Sequence, residues 1–210
     1  MKRTVYSFII ATALAAVPLC AQEGSHITGQ VGAGFTTGLG RTGDYLDYGW
    51  NAGAGIGYNF NHWIGLQLNL NDSQMGINST TLTGIGVPGG DVNMFTATID
   101  PIIHLTPASH ADVYVTGGYG LFRRNQEFTA PSVATTLGFY PYFGFVPVTV
   151  PTTTILSSYS VNKPGIDAGI GIAFGTKWHG KIFAEAKYYR MFYNSDFHTD
   201  YLPVTFGYRW

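Results

Sequence analysis

Apolar and polar residues alternate along most of this chain with a period of two. From 48 to 60, Tyr48, Trp50, Ala52, Ala54, Ile56, Tyr58 and Phe60 share one parity, and Gly49, Asn51, Gly53, Gly55, Gly57 and Asn59 the other. Such a pattern puts the two sets on opposite faces of a β-strand. After a short turn at Asn61 and His62, Ile64, Leu66, Leu68 and Leu70 oppose Gly65, Gln67, Asn69 and Asn71, so the two segments read as a hairpin. Further alternating segments run over 26–35, 92–105, 113–121, 166–174, 181–192 and 202–210, the one containing Pro101 being the least regular. These predict eight strands in an all-β chain.

The connections alternate in length. Short turns are expected at 61–62, 106–111 and 175–181, and long loops at 36–47, 71–91, 123–160 and 192–200. Short turns on one rim and long loops on the other mark an outer-membrane barrel. Ten residues at ~3.3 Å each, tilted by ~40°, rise about 25 Å, the height of the apolar band of that membrane. The expected fold is an eight-stranded antiparallel up-and-down transmembrane β-barrel. A soluble eight-stranded barrel is the alternative, because alternation alone does not say which face is inside. Three features oppose it: the aromatic last strand, the recurrence of Trp50, Tyr58, Trp63, Trp178, Tyr188, Tyr208 and Trp210 near strand ends, and charged residues at only 11% of the chain, against ~25% in ordinary soluble domains.

At the amino terminus, Lys2 and Arg3 precede an apolar stretch from about Val5 to Val17, and small residues lead to Ala21. This predicts a signal peptide over 1–21 and a barrel domain over 22–210. The apolar stretch is shorter than the ~20 residues a spanning helix needs. The single cysteine, Cys20, invites a lipoprotein reading, but bulky Leu19 stands where lipoprotein processing prefers a small residue. Cleavage after Ala21 leaves no thiol in the expected mature chain, and so no disulfide or thiolate metal site. A net charge of -1 gives no reason to expect a nucleic-acid partner.

The segment KIFAEAKYYRMF at 181–192 fixes the strand register through energy. Glu185 and Lys187 share a parity opposite Ile182, Ala184, Ala186 and Tyr188. Turning both charges to lipid would cost ~2 to 4 kcal/mol for Lys alone near the midplane. They are expected to face the lumen with Arg209, Asp100, His104 and Asp167. Eight strands leave an interior only wide enough for side chains, so these residues are read as a paired polar plug rather than a proton or ion relay.

The sequence EAKYYR in the penultimate strand, followed by YLPVTFGYRW at the terminus, resembles the small OmpA/OmpX-type outer-membrane β-barrel family over essentially the whole mature chain. The resemblance implies an integral protein of the bacterial outer membrane, inserted by the barrel-assembly machinery. That machinery would read the terminal aromatic strand, here Phe206, Tyr208 and Trp210. Arg209, Glu185 and Lys187 match charged lumen positions of that family in type and strand. No cell-wall-binding domain is expected after the barrel.

Enzyme chemistry is not expected, and neither is a cofactor. Nucleophile and base must come within hydrogen-bonding reach, yet the chain has no G-x-S-x-G elbow. His62, His110 and His179 fall in predicted periplasmic turns, with His26 near the same end. They are read as solvated residues rather than metal ligands, as are Asp196, His198 and Asp200 in the last external loop. The segment 123–160 is unusual in its aromatics, including Phe139, Tyr140, Tyr142, Phe143 and Phe145. Thr149 to Leu156 can extend a strand beyond the membrane. Two readings of this segment stand side by side: an exposed patch or edge that binds an extracellular protein or host surface, or a loop folded over the barrel mouth. The expected protein is a monomer in lipid with a structural or adhesive role through its loops. The alternative is a narrow pore, or a conduit for small or apolar molecules.

Overall fold

The structure, a computed structural model, describes residues 26–107, 110–176, 180–193 and 197–210. The expected signal peptide, Cys20, Trp178, His179 and Asp196 lie outside the described residues. The strands are β1 (Ile27–Gly38), β2 (Leu46–Asn59), β3 (Ile64–Ile77), β4 (Gly89–His104), β5 (Ala111–Tyr140), β6 (Gly144–Gly175), β7 (Lys181–Phe192) and β8 (His198–Arg209). Each pairs antiparallel with the next, and β8 returns to β1, with Gln30 opposite Arg209 and Gly38 opposite Tyr201. Closure leaves no unpaired strand edge in the lipid, where an unsatisfied backbone group would cost several kcal/mol.

The faces are those of a membrane barrel rather than a soluble one. On β3, Leu68 is 45% exposed while Gln67 and Asn69, on either side of it, are 4% and 6% exposed. Ile56, Ile99, Ile170, Ile182 and Phe206 are likewise half exposed on the outer wall. An outside this apolar is stable against hydrocarbon and unstable against water.

Three expected loops are shorter than the sequence suggested. Strand β1 continues to Gly38, and a one-turn helix α1 (Arg41–Tyr45) leads into β2 at Leu46. Strand β3 continues to Ile77, and α2 (Ser79–Gly84) follows, its N-cap Asn78 side chain accepting a 2.8 Å hydrogen bond from Thr80 N. His198 and Asp200 belong to β8 rather than to a loop. Alternation hid these strand ends because above the lipid the outer face turns polar: Asp72 accepts from Asn93 Nδ2 at 2.7 Å, and Asp91 from Gln74 Nε2 at 3.0 Å.

The largest correction concerns 123–160. This stretch is strand, not loop: β5 and β6 pair without interruption up to Tyr140 opposite Gly144, with one register shift at Phe128/Thr129. Strand β4 accompanies β5 only as far as Gly89 opposite Thr129, and β7 accompanies β6 only from Met191 opposite Gly165. Above those points the hairpin is a free-standing two-stranded ribbon. It does not fold over the mouth; Tyr142 at its tip is wholly exposed. With water on both faces the ribbon needs no alternation, and its Thr, Val and aromatic content supplies the strand preference instead.

Candidate functional site

Two regions carry the chain's unusual chemistry: the filled lumen and the ribbon. In the lumen, inward residues of five strands meet at mid-height. Arg209 donates to Gln30 Oε1 through Nε at 3.0 Å and Nη2 at 2.7 Å. Gln30 Nε2 donates to Asn69 Oδ1 at 2.8 Å, and Asn69 Nδ2 to Asp100 Oδ2 at 2.6 Å. Lys187 Nζ donates to the same Asp100 oxygen at 2.6 Å, and Thr98 Oγ1 at 3.1 Å. One chain of polar contacts thus joins β8, β1, β3, β4 and β7. Glu185 lies 3.6 Å from Lys187 and 4.0 Å from Arg209, an ion-pair neighbour of both. Burial makes each unmade contact costly, because a stranded charge here has no water to solvate it.

Room for these side chains comes from glycine on the adjacent strand β6. A Cβ at Gly169 would stand 2.6 Å from Lys187 Cγ, and one at Gly171 would overlap the Tyr114 ring. The Lys187 stem and the Tyr114 ring occupy these spaces, and the Arg209 guanidinium lies 4.5 Å from the Tyr114 ring centre and 5.3 Å from that of Phe183, within cation–π range.

Of the six lumen residues named from sequence, Asp100, Glu185, Lys187 and Arg209 meet in this cluster. Asp167 also points inward and is buried beyond Gly118, but neither of its carboxylate oxygens has a hydrogen-bond partner. His104 sits apart at the periplasmic end. Its Nδ1 lies 2.8 Å from Asp112 Oδ2, which also accepts from Lys181 Nζ at 2.9 Å. Sequence reading missed Gln30 and Asn69, the neutral links between the charges. Their inward parity was the available signal, but parity does not say which polar residues touch.

It also missed the external half of the lumen, which is apolar. Met75, Val92, Met94, Phe122, Tyr189 and Met191 form one buried cluster there, packed beneath Leu82 of α2 and Phe128. Phe122 and Tyr189 meet edge to face at 5.6 Å, and Tyr189 packs against Tyr201 at 5.2 Å. The spaces between side chains are small: a void of ≈ 30 Å³ beside Lys187, and a periplasmic recess of ≈ 160 Å³ bordered by His104, Lys181, Arg209 and Trp210.

The remaining sequence candidates lie on the rims. Trp210 exchanges two 3.0 Å backbone hydrogen bonds with Gly29 and stacks on Tyr208, completing the β8–β1 seam next to Phe206 on the lipid face. His26 Nδ1 lies 3.0 Å from Asn59 O; His62 and His110 are exposed in turns. On the external rim, Asp200 receives Arg190 Nε at 2.9 Å and Nη2 at 3.0 Å, with His198 at 3.3 Å. Burial alone would push the Asp200 carboxyl up, but the bonds from Arg190 and Tyr188 outweigh it and hold the group below the usual carboxylate range.

The ribbon is the opposite in character. From 128 to 162 it contains no Asp, Glu, Lys, Arg or His. At its base, the Tyr159 and Tyr193 hydroxyls lie 3.0 Å apart and Lys163 sits over the Tyr193 ring at 5.3 Å, tying it to the β7–β8 connection. At its tip, Phe139 and Phe145 pack edge to face at 5.7 Å, and Tyr142 takes a positive φ of 75° ahead of Gly144 at 71°. Phe139, Tyr140, Tyr142, Phe143 and Phe145 are all exposed there.

Comparison with known proteins agrees with this architecture. No curated protein sequence matches the chain significantly. Among solved structures, Neisserial surface protein A is similar with a TM-score of 0.56 at 12% identity, over 88% of this chain and 96% of that one. Ail, the attachment invasion locus protein of Yersinia pestis, is similar with a TM-score of 0.50 at 17% identity, over 89% of this chain and 99% of the other. At these identities the likeness is one of fold. The outer membrane protein beta-barrel domain matches residues 7–209, and the chain belongs to that family.

Proposed function

We propose that this protein is a non-enzymatic barrel of the bacterial outer membrane whose wall is structural and whose work is surface recognition through the β5–β6 ribbon. The observation that carries this reading is the ribbon itself: a long charge-free hairpin standing clear of the barrel, with five aromatic side chains exposed at its tip. Monomeric proteins rarely leave so large an apolar surface in water without a partner for it. The fold likeness to an attachment invasion locus protein is consistent with such a role. In this reading the signal peptide is removed, the barrel-assembly machinery inserts the chain through its Trp210 strand, and the barrel is monomeric in its own membrane. A pore is disfavoured because ions would have to cross both the paired charges around Lys187 and the apolar cluster around Phe122.

The test is to replace 133–151 with an Asn-Gly turn, joining Ser132 to its cross-strand partner Thr152. Cells displaying the shortened barrel are expected to fold it normally and to lose adhesion to host cells and matrix. Undiminished adhesion with equal surface display would sink the proposal.

A further inference from the structure

The ribbon has two free edges, and prolines treat them differently. Pro131 stands opposite Thr153, Pro151 opposite Val133, and Pro147 opposite Leu137. Proline has no N–H to give, so within a paired ribbon it is tolerated where that group would point away from the partner strand. Backbone groups of alternate residues in an antiparallel pair point to alternate sides. All three prolines occupy odd-numbered pairs, so the odd-numbered groups of both strands face outward. The barrel wall below gives the same assignment for β5. The β4–β5 ladder is broken between Ile99–Tyr119 and Ile102–Thr116, where Pro101 comes level with Gly117 and odd-numbered β5 groups face β4.

On β6 the prolines delete alternate outward donors, at 147 and 151, a device that blocks strand addition. On β5, above Pro131, the outward donors of Val133, Thr135, Leu137 and Phe139 are all intact. The run from Val133 to Phe139 has no charge and no proline, the composition of strands that pair with themselves. An antiparallel copy centred on Thr135 sets Thr135 against Thr135, Val133 against Leu137, and Phe139 against Pro131, with no like charges opposed. Geometry selects the direction of approach. The open edge lies directly above β4, which ends at Gly89 opposite Thr129. A parallel strand from a neighbour in the same membrane would have to descend through β4, whereas an antiparallel strand arrives from above.

Resting on the surface-recognition reading, we propose that the β5 edge from Val133 to Phe139 is a homotypic strand-addition site joining two copies from apposed membranes. The rims, taken at Thr129 where β4 ends, would then stand roughly 40 Å apart, the rise of twelve strand residues at ~3.3 Å each.

The experiment uses the mature protein refolded into phosphatidylcholine vesicles of two colours, read by two-colour clustering. Wild-type vesicles are expected to cluster with one another. Thr135→Pro removes the central outward donor without touching the β5–β6 ladder, and is expected to abolish clustering. Thr149→Pro, on the already blocked β6 edge, is expected to leave it unchanged. Thr135→Lys and Thr135→Glu vesicles should each fail to self-associate yet cluster when mixed, because the residue meets its own counterpart. Clustering that survives Thr135→Pro, or that joins wild-type vesicles to protein-free ones through lipid contact, overturns the proposal. Vesicles that stay dispersed also overturn it; if the ribbon deletion still abolishes host adhesion, the surface-recognition reading stands without self-pairing.

Discussion

Replacing Lys187 with Met is the sharpest probe of what holds the barrel interior together. The side chain is 4% exposed, its ammonium donates to Asp100 at 2.6 Å, and Glu185 is its second anionic neighbour at 3.6 Å. Methionine nearly preserves the volume, so the change removes charge while leaving packing almost intact. Around mid-lumen, Asp100, Asp167 and Glu185 face Lys187 and Arg209; the variant leaves Arg209 as the one cation among those five positions. Breaking a buried pair in this way costs about 3–5 kcal/mol, because the surviving anion remains out of water. Asp100→Asn should cost less, about 1.5–3 kcal/mol, since the amide keeps an acceptor for Asn69 and Thr98 and Glu185 still neutralises Lys187. Combining the two should cost less than their sum, by about 0.5–3 kcal/mol of coupling. Urea unfolding in lipid vesicles, followed by tryptophan fluorescence, measures all three. A Lys187→Met barrel within 1 kcal/mol of wild type, or strictly additive losses, would refute the account of a charge-paired interior.

Three further outcomes follow from the geometry. Refolded protein in a planar bilayer should show no steady conductance, and Glu185→Gln with Lys187→Met should stay silent because the apolar cluster remains; a stable open channel in either would refute the sealed-lumen reading. Phe122→Ala, in the centre of that cluster, should lose about 3–5 kcal/mol in the same urea assay; an unchanged midpoint would show that the cluster contributes little. Arg190→Ala should lower stability only slightly, because the exposed Arg190–Asp200 pair is screened by solvent. Because the folded Asp200 carboxyl titrates below its unfolded value near ~3.9, that contribution is full above the unfolded value and vanishes as pH falls through the folded one. Unfolding curves of wild type and Arg190→Ala should therefore differ at pH 7 and converge in strong acid, and a gap that persists there would assign the loss to packing.

Much of this molecule was legible in the sequence, and the parts that were not share a cause. Alternation between lipid and lumen is a local signal, repeated every two residues, so strand number, inside and outside, and the inward parity of Glu185, Lys187 and Arg209 followed from the residues alone. Contacts across the lumen are another matter. Gln30 and Asn69 are ordinary polar residues until closure of β8 onto β1 brings Arg209 beside one and Asp100 beside the other. Likewise Met75, Val92, Met94 and Met191 are scattered across three strands, and curvature of the closed sheet gathers them into one apolar cluster. The ribbon escaped for the converse reason. With the same solvent on both faces, nothing selects alternation, and only the continued pairing of β5 with β6, residue by residue to Tyr140 and Gly144, reveals a strand where composition suggested a loop. Sequence determined which face each side chain takes, since that choice is governed by the solvent next to one strand; tertiary structure decided which side chains meet, since that depends on how eight strands close around a common axis.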